Sequence, residues 1–353
     1  MIRGLAPLAT LLLSSCAQMA YYSHLARGQI GLLAAREPIE SVIRDDSRDA
    51  RLRERLALIR EARQYAVREL RLPDNGSYQD YADLQRPYAL WNVLATPEFS
   101  LKPVESCFPI AGCVAYRGYY REALALEQAQ RYRAEGYDVD IGGVPAFSTL
   151  GWFDDPVLNT MMHWSDVVLV GTLFHELAHQ RLYVKDDTAF NESYARFVEL
   201  EAARRYFSAT AQSSESEIKG RERSRQFTQL VLKARKSLAS IYAMPLDEPT
   251  MRARKQAVFA QLRTDYQTLR EEHWSGADPY AAWIAQDLNN ATLLPFGLYD
   301  EWVPAFSALF EASGHNWEIF HRSCASLASA EKEERHKRMS ALMRPFNQSQ
   351  EHH

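Results

Sequence analysis

The sequence predicts a mainly α-helical protein with a small β-sheet, an α+β fold. Apolar residues recur at helical spacing in long segments on either side of residues 77–150, whereas strand-like alternation is confined to that region. The chain has 353 residues, 46% of them hydrophobic, and no internal repeat. We therefore expect a single domain over residues 16–353, with a core at about 77–210 and a C-terminal helical part at 211–345.

The first residues resemble the signal peptide of a bacterial lipoprotein. Arg3 supplies a positive start, Leu5 to Leu13 form an apolar segment, and the Leu-Ser-Ser-Cys that ends at Cys16 has the pattern of a lipobox. The apolar segment is too short for a permanent transmembrane helix, so residues 1–15 are predicted to be a removed signal. The resemblance implies a lipid on Cys16 that anchors the protein in the bacterial cell envelope, and Ala17 in place of Asp implies the outer membrane, facing the periplasm. An ordinary signal peptide with an incidental cysteine is the alternative.

A helix is predicted over residues 49–70, and a Pro-Asp-Asn-Gly turn follows it. Residues 77–121 are rich in Tyr, Trp and Pro and are predicted to be irregular with short strands. Within them, Cys107 and Cys113 enclose Phe-Pro-Ile-Ala-Gly, a turn-forming segment that could bring the two sulfur atoms together. An oxidising periplasm would let them form a disulfide, which we predict. A pair of buried free thiols is the alternative.

A predicted helix over 122–135 precedes a predicted strand over 137–150. The strand begins with the alternation of a half-buried strand, and its internal proline is typical of a sheet edge. An edge strand just before a metal-binding helix could hold a peptide substrate as an added strand. Phe147 and Ser148 are therefore candidate substrate-binding residues, and a purely structural hairpin is the alternative.

Residues 172–195 contain the motif around which the rest of the chain is organised. His175 and His179 stand four apart in an apolar run that predicts a helix, so both imidazoles leave the same face, one turn apart, and can bind one ion. Glu176 lies between them. In this H-E-x-x-H arrangement two neutral imidazoles hold zinc, and the carboxylate acts as the general base toward water. An amphipathic helix with two histidines beside a solvated glutamate is the alternative.

A third ligand is needed, because catalytic zinc usually has three protein ligands and one position open to water. The polar run Lys185-Asp186-Asp187 is expected to end the first helix, and Thr188 is a candidate N-cap for a second one. That second helix could return either Glu192 or Glu199 to the metal. Two histidines and a glutamate suit zinc, although other divalent ions fit similar ligands.

The remainder of the chain is predicted to be helical. The predicted helices lie at 218–242, 251–272, 280–292, 303–314 and 317–340. The first two are expected to form a hairpin outside the catalytic core, and the charged segment 331–338 is expected to be a solvated tail. The 41 basic and 45 acidic residues are balanced, and the local basic runs alternate with acidic residues. No nucleic-acid partner is predicted.

The chain resembles a family of bacterial lipoproteins described as aminopeptidases, which are gluzincin-like zinc metallopeptidases. The likeness lies in the histidine motif, Asn-Glu-Ser-Tyr-Ala at 191–195, Ala-Gly-Cys-Val-Ala-Tyr-Arg-Gly-Tyr at 111–119, Ser-Thr-Leu-Gly-Trp-Phe-Asp-Asp-Pro at 148–156 and Leu-Asn-Asn-Ala at 288–291. It implies a zincin-like core, one zinc ion and the hydrolysis of peptide bonds. The Asn-Glu motif favours Glu192 as the third ligand, with Asn191 and Glu199 supporting the ligands.

Two further roles follow from this reaction. Gluzincins usually add a Tyr or His that stabilises the tetrahedral oxyanion; Tyr299 is the candidate by position, and a core tyrosine is the alternative. An aminopeptidase also needs an acid that binds the free α-amine, for which Asp154 and Asp155 are candidates unless they cap a helix near Pro156. We expect a membrane-anchored zinc aminopeptidase. The alternatives are a zinc endopeptidase of the envelope and an inactive envelope scaffold with a structural metal.

Overall fold

The computed structural model confirms the predicted α+β class, with long helices and short strands. It describes residues 6–108, 112–209, 215–299 and 301–350, and it describes side chains at 18–108, 112–208, 219–220, 222–296 and 301–343. None of the helices in these ranges combines the length and the apolar character that crossing a membrane requires.

Some of the helices begin at a side chain that caps them. In chain order they are α1 (Ala6–Ala34), α2 (Ile39–Arg44), α3 (Ala50–Arg68), α4 (Glu122–Ala134), α5 (Asp166–Arg181), α6 (Thr188–Ala209), α7 (Glu215–Tyr242), α8 (Glu248–His273), α9 (Ala281–Ala285), α10 (Leu294–Tyr299), α11 (Val303–Ala312), α12 (Trp317–Ala328) and α13 (Lys332–Gln350). The Asp49 side chain accepts from the Leu52 N–H before α3, and the Ser165 side chain accepts from the Val168 N–H before α5. Such caps satisfy N–H groups that the first turn of a helix leaves free.

The strands form small sheets. They are β1 (Arg36–Pro38), β2 (Asp80–Ala82), β3 (Leu90–Pro97), β4 (Ser106–Phe108), β5 (Gly112–Val114), β6 (Arg117–Tyr119), β7 (Tyr137–Val144) and β8 (Val157–Leu158). One sheet has the order β1-β2-β8, a second is the antiparallel β6-β3-β7, and β4 pairs with β5. Cys107 on β4 lies opposite Cys113 on β5, and the two form the predicted disulfide.

The main apolar core surrounds α5 and α6. These helices pack against each other, α3 packs on α5, and α10 and α11 pack on α6. Leu173, Phe174 and Leu177 of α5 and Phe190 and Tyr194 of α6 are almost completely buried. Burying a large apolar side chain of this kind contributes roughly 1.5–3 kcal/mol, so the two helices are fixed by the core itself.

The predicted hairpin after the core is formed by α7 and α8, which pack against each other. It has its own apolar cluster, which includes Phe227 and Val231 of α7 and Phe259 and Leu262 of α8. Lys255 of α8 joins it to the sheets, because its Nζ donates to Asp138 Oδ2 at 2.5 Å and to the Glu98 carbonyl at 2.9 Å.

Strand β7 lies at the edge of its sheet, as predicted, because its described strand partner is β3 alone. The start of its free side is covered, since Asn289 Nδ2 donates to the Val139 carbonyl at 3.2 Å.

The helix predicted over 280–292 is wrong except for α9 and a 3₁₀ turn at Ala291–Leu293. Asn289 and its neighbour bind backbone groups of the sheet region instead of continuing a helix.

Two other segment predictions are wrong. The strand ends at Val144 rather than at residue 150, because the next residue, Pro145, has no N–H to pair. Further along, Thr149 donates to Asp155 and Leu150 adopts φ +57°. The segment 331–338 is not a solvated tail. It begins α13, and Arg335 is 3% exposed because it pairs with the buried Asp187.

Candidate metal centre

Helix α5 carries the histidine motif through the middle of the core. Its side chains from Leu169 to His179 are buried, with the exception of the half-buried Thr172. A helix that is apolar on all sides is a central core helix. A polar group on such a helix is largely removed from water, so it needs a partner within the protein.

Three ligand-type atoms converge beside this helix. The Nε2 atoms of His175 and His179 are 3.1 Å apart, and Glu192 Oε2 lies 3.4 Å from the first and 3.5 Å from the second. Among the described residues, these three side chains form the group of histidine, cysteine and carboxylate ligands that could hold a metal ion. Donor atoms about 2.1 Å from a tetrahedral zinc ion lie roughly 3.4 Å from one another. The triangle therefore fits zinc.

Glu199 contacts His175 at the ring nitrogen that is not part of the triangle. Its Oε2 lies 3.1 Å from His175 Nδ1 and accepts a hydrogen bond from Nδ1–H, while Nε2 of the same ring faces the triangle. Arg196 in turn donates to Glu199 Oε1. Glu192 and Glu199 are thus both close to His175, but they contact opposite nitrogens of its ring.

The electrostatics of the cluster favour a bound cation. Burial opposes a charged imidazole, yet hydrogen bonds to Glu192 and Glu199 outweigh it and raise the pKa of His175 to about 10. Burial also opposes the charge on Glu192, but His179 and His175 lower its pKa to about 2. The carboxylates therefore attract positive charge onto the ring nitrogens. A divalent ion there would balance the charges of Glu176, Glu192 and Glu199 together with that of Arg196.

Glu176 lies next to the triangle and is 8% exposed. Burial raises its pKa, and the imidazoles of His175 and His179 partly offset that rise. Burial, followed by the carboxylates of Glu176 and Asp155, raises the pKa of Tyr78. A carboxylate with a raised pKa beside a metal-ligand cluster is suited to accepting and returning a proton.

The turn between α5 and α6 sets the position of Glu192. Asn191 spans it, because its Nδ2 donates to the Val184 carbonyl at 2.7 Å and its Oδ1 accepts from the Val184 N–H at 2.8 Å. Asp187, rather than the predicted Thr188, caps α6 by accepting from the Phe190 N–H at 3.3 Å. Asn191 therefore fixes the turn beside the predicted ligand.

The disulfide hairpin contacts the same turn. Asp186 has φ +64°, and its Oδ1 accepts from the Cys113 N–H at 2.6 Å. Gly112, at φ +74°, allows this approach, because a Cβ atom there would meet Asp186 Oδ1 at 2.5 Å. The hairpin and the turn are thus packed directly together.

The predicted substrate-binding residues lie in the loop after β7. Asp155 is 3% exposed and accepts from Thr149 N and Oγ1, both at 2.8 Å, and from Gln180 Nε2 at 3.3 Å. Burial raises its pKa to about 6, against the effect of these donors. Ser148 Oγ also donates to Asp155, at 3.4 Å. Asp155 therefore organises the loop, and it joins that loop to the residue after His179.

Phe147 and Asp154 have different surroundings. Phe147 is half-buried against the core and contacts the Tyr120 ring edge-on, with the ring centres 6.2 Å apart. Asp154 is exposed, and its carboxylate lies over Gly76, where an added Cβ would meet it at 2.3 Å. The described contacts do not bring these two side chains together.

Two tyrosines near the triangle were missed by the sequence analysis. Burial, followed by the charge of Glu192, raises the pKa of Tyr116, and Glu176 contributes to the same shift. Burial and then Glu192 raise the pKa of Tyr183 to about 12. Tyr299 is the last residue of α10, and its side chain lies outside the described part of the chain. Tyr116 lies within the 111–119 segment that carries the family resemblance, but nothing in that segment indicates a role at the metal site, because Tyr116 reaches the site through the fold.

Comparison with known protein families agrees with the resemblance seen in the sequence. The sequence model of a family described as "Putative aminopeptidase" matches residues 20–339, which is most of the chain and includes α5, α6 and the turn between them. Searches of curated proteins and of solved structures gave no match. The extent of the family match identifies the chain as a member of this aminopeptidase family.

Proposed function

We propose that this protein is a zinc-dependent peptidase, and specifically an aminopeptidase, with a zincin-like catalytic core. The observation that carries the proposal is the convergence of His175 Nε2, His179 Nε2 and Glu192 Oε2 within 3.5 Å of one another, with Glu176 buried beside them. His175, His179 and Glu192 would hold the ion. When bound, zinc acidifies water and polarises a carbonyl group.

The residues of the chain would carry the proton and orient the groups. Glu176 takes a proton from the attacking water and gives it to the leaving amine, a role for which its raised pKa suits it. With the ion bound, Glu199 would keep His175 in the tautomer that carries its proton on Nδ1, by accepting from Nδ1–H. Burial of the cluster excludes competing water and strengthens these interactions.

A donor to the oxyanion completes the reaction. Tyr299 is a candidate from its place in the sequence, and Tyr116 is a candidate from its neighbours, Glu192 and Glu176. We assign the role to Tyr116 rather than to Tyr183, because the charge of the proposed base Glu176 contributes to the raised pKa of Tyr116 and not to that of Tyr183. A preorganised donor of this kind contributes on the order of 3 kcal/mol to lowering the barrier.

The peptide substrate would pair with the free edge of β7 and meet the loop that carries Phe147 and Ser148. For an aminopeptidase, Asp154 is the more accessible of the two predicted acids for the substrate's α-amine, because Asp155 is buried and its oxygens already accept from the loop. A zinc endopeptidase is the second candidate function, supported by an edge strand that can pair with the main chain of a peptide, a contact that needs no free α-amine.

One pair of assays separates the functions. Free and N-acetylated forms of the same peptide are compared, since blocking the α-amine abolishes hydrolysis by an aminopeptidase and leaves an endopeptidase active. Glu176→Gln is expected to retain zinc and to lose turnover by at least about 100-fold. Turnover that is unchanged in this variant would mean that Glu176 is not the base, and a wild-type protein that binds zinc without hydrolysing either peptide would indicate an envelope scaffold.

We also propose that the protein acts at the membrane surface of the bacterial envelope, with a lipid on Cys16. The support is the lipobox pattern in the sequence. Metabolic labelling with a radioactive fatty acid should mark the wild type and not Cys16→Ser. An unlabelled wild type found in the soluble fraction would count against the anchor.

A further inference from the structure

The C-terminal helices contact α6 at the turn that precedes Glu192. Asp187 is 1% exposed, and its Oδ2 accepts from Arg335 Nε at 2.8 Å and Nη2 at 2.7 Å and lies 2.9 Å from His336 Nε2. The other oxygen of Asp187 accepts from the Phe190 N–H at 3.3 Å. A single buried carboxylate therefore caps α6 and binds α13.

The guanidinium of Arg335 is held on every side. Its Nη1 donates to the Ala328 and Ala330 carbonyls at 3.1 and 2.7 Å, so the turn between α12 and α13 fixes it. Its Cζ lies 5.3 Å from the centre of the Phe190 ring. A buried ion pair is tolerated when its remaining donors are satisfied, and removing one partner then leaves a costly unpaired charge.

Residues next to Glu192 are held by the same part of the chain. Ser193 Oγ accepts from the Trp302 N–H at 3.0 Å. The Tyr194 hydroxyl donates to His321 Nδ1 at 2.8 Å, because His321 Nε2–H is used to donate to the Leu70 carbonyl at 2.9 Å. Glu192 lies between the Asp187 cap and these two contacts.

We propose that Asp187 and Arg335 are positioning residues for the third metal ligand, so that α13 sets the distance of Glu192 from the two histidines. The inference rests on the proposed function. Asp187 lies five residues before Glu192, and its carbonyl accepts from the Asn191 N–H at 3.1 Å. A shift of the cap is therefore passed through one turn of helix to the ligand. Ligand geometry that is loosened in this way typically costs 10- to 100-fold in metal affinity.

The test measures metal affinity in the full-length protein. Arg335→Met and the double variant Asp187→Asn/Arg335→Met are compared with the wild type in zinc competition against a chelator and in the absorption spectrum of the Co²⁺-loaded protein. We expect about a 10- to 100-fold loss of zinc affinity and an altered Co²⁺ spectrum in both. The double variant removes both charges of the pair, so it is expected to fold even where the single variant does not.

Arg55→Met is the matched control. Arg55 is also a buried arginine that binds the start of a ligand-bearing helix, because its Nη1 donates to Asp166 Oδ1 at 2.8 Å and its Nη2 to the Trp164 carbonyl at 2.7 Å. Asp166 lies nine residues before His175, which is about 13 Å along α5. Arg55→Met should lower the free energy of unfolding and leave the zinc affinity of the folded protein unchanged.

The outcomes separate the two claims. Wild-type zinc affinity and an unaltered Co²⁺ spectrum in the double variant would overturn the positioning role, whatever its effect on stability. A wild-type protein that binds no zinc at all would overturn the proposed function, and the positioning role with it. Equal losses of affinity in Arg335→Met and Arg55→Met would mean that general destabilisation, rather than the placement of Glu192, is responsible.

Discussion

Glutamine in place of Glu192 or Glu199 gives the sharpest test of the ligand set. Both residues lie on α6, and both contact His175, Glu192 at Nε2 and Glu199 at Nδ1. The same substitution at each position therefore removes one negative charge from the surroundings of the same imidazole and keeps the size of the substituted side chain. Only at position 192 does it remove an atom of the ligand triangle.

The expected magnitudes differ. Glu199→Gln keeps an acceptor for His175 Nδ1–H, and changes in such outer contacts cost roughly 10- to 100-fold in metal affinity, or about 1.4–2.7 kcal/mol. Glu192→Gln replaces an anionic oxygen that lies 3.4 and 3.5 Å from two ring nitrogens with a neutral amide. Since that oxygen completes the triangle, the loss of zinc affinity in Glu192→Gln should exceed about 100-fold.

The assay is a zinc competition titration with a chelating dye at constant pH, with the free energy of unfolding measured in parallel so that affinity is compared between folded proteins. The order of the two variants decides the question. If Glu199→Gln loses more affinity than Glu192→Gln, then Glu199 is the ligand, and the triangle has been misinterpreted.

Three other predictions use different parts of the structure. Burial lowers the pKa of His321 to about 4, below the usual 6.5. The neutral imidazole therefore contributes fully to the free energy of unfolding above pH 6.5, and about 3 kcal/mol of that contribution is lost as the pH falls to 4. Urea unfolding should show a smaller loss of stability over this pH range in His321→Gln than in the wild type. Tyr116→Phe should lower kcat roughly 100-fold with KM little changed, whereas Tyr183→Phe should lower kcat less than about 10-fold. A larger loss of kcat in Tyr183→Phe than in Tyr116→Phe would assign the oxyanion role to Tyr183. Gly112→Ala should lower the free energy of unfolding by about 2–4 kcal/mol in a thermal unfolding experiment, since a clash of the new Cβ with Asp186 adds to the strain of a positive φ. Gly136→Ala has the strain but no clash and should cost about 1–2 kcal/mol. Equal losses of stability in the two variants would argue against the packing of the hairpin on the turn.

The sequence was sufficient for features that depend on local spacing. The pair of histidines four residues apart on one helix face follows directly from helix geometry, and the helix predicted over residues 49–70 follows from its apolar spacing. It was not sufficient to choose between Glu192 and Glu199, which lie seven residues, or about two turns, apart and therefore share a face of α6. Their separate contacts with His175 depend on how α6 crosses α5, and this is set by packing.

Features that depend on distant partners could not be predicted. The charged segment 331–338 was interpreted as solvated because charged residues are rarely buried without a partner. Arg335 has such a partner in Asp187, 148 residues away, and no local pattern indicates it. The strand predicted through residue 150 failed for a similar reason, because Thr149 donates its N–H and Oγ1–H to the Asp155 carboxylate rather than to a neighbouring strand.

The covered start of the β7 edge limits the length of polypeptide that could form main-chain hydrogen bonds there. In an antiparallel strand, alternate residues direct their main-chain groups to the same side. The Val139 carbonyl faces the free side and is occupied by Asn289, so Ile141 and Gly143 are the next residues of β7 to face that way. The contact zone would span about four residues, or roughly 13 Å. If a peptide pairs with β7 as proposed, lengthening it beyond that zone should bring no further gain in kcat/KM, and short fragments should be hydrolysed as efficiently as long unfolded chains.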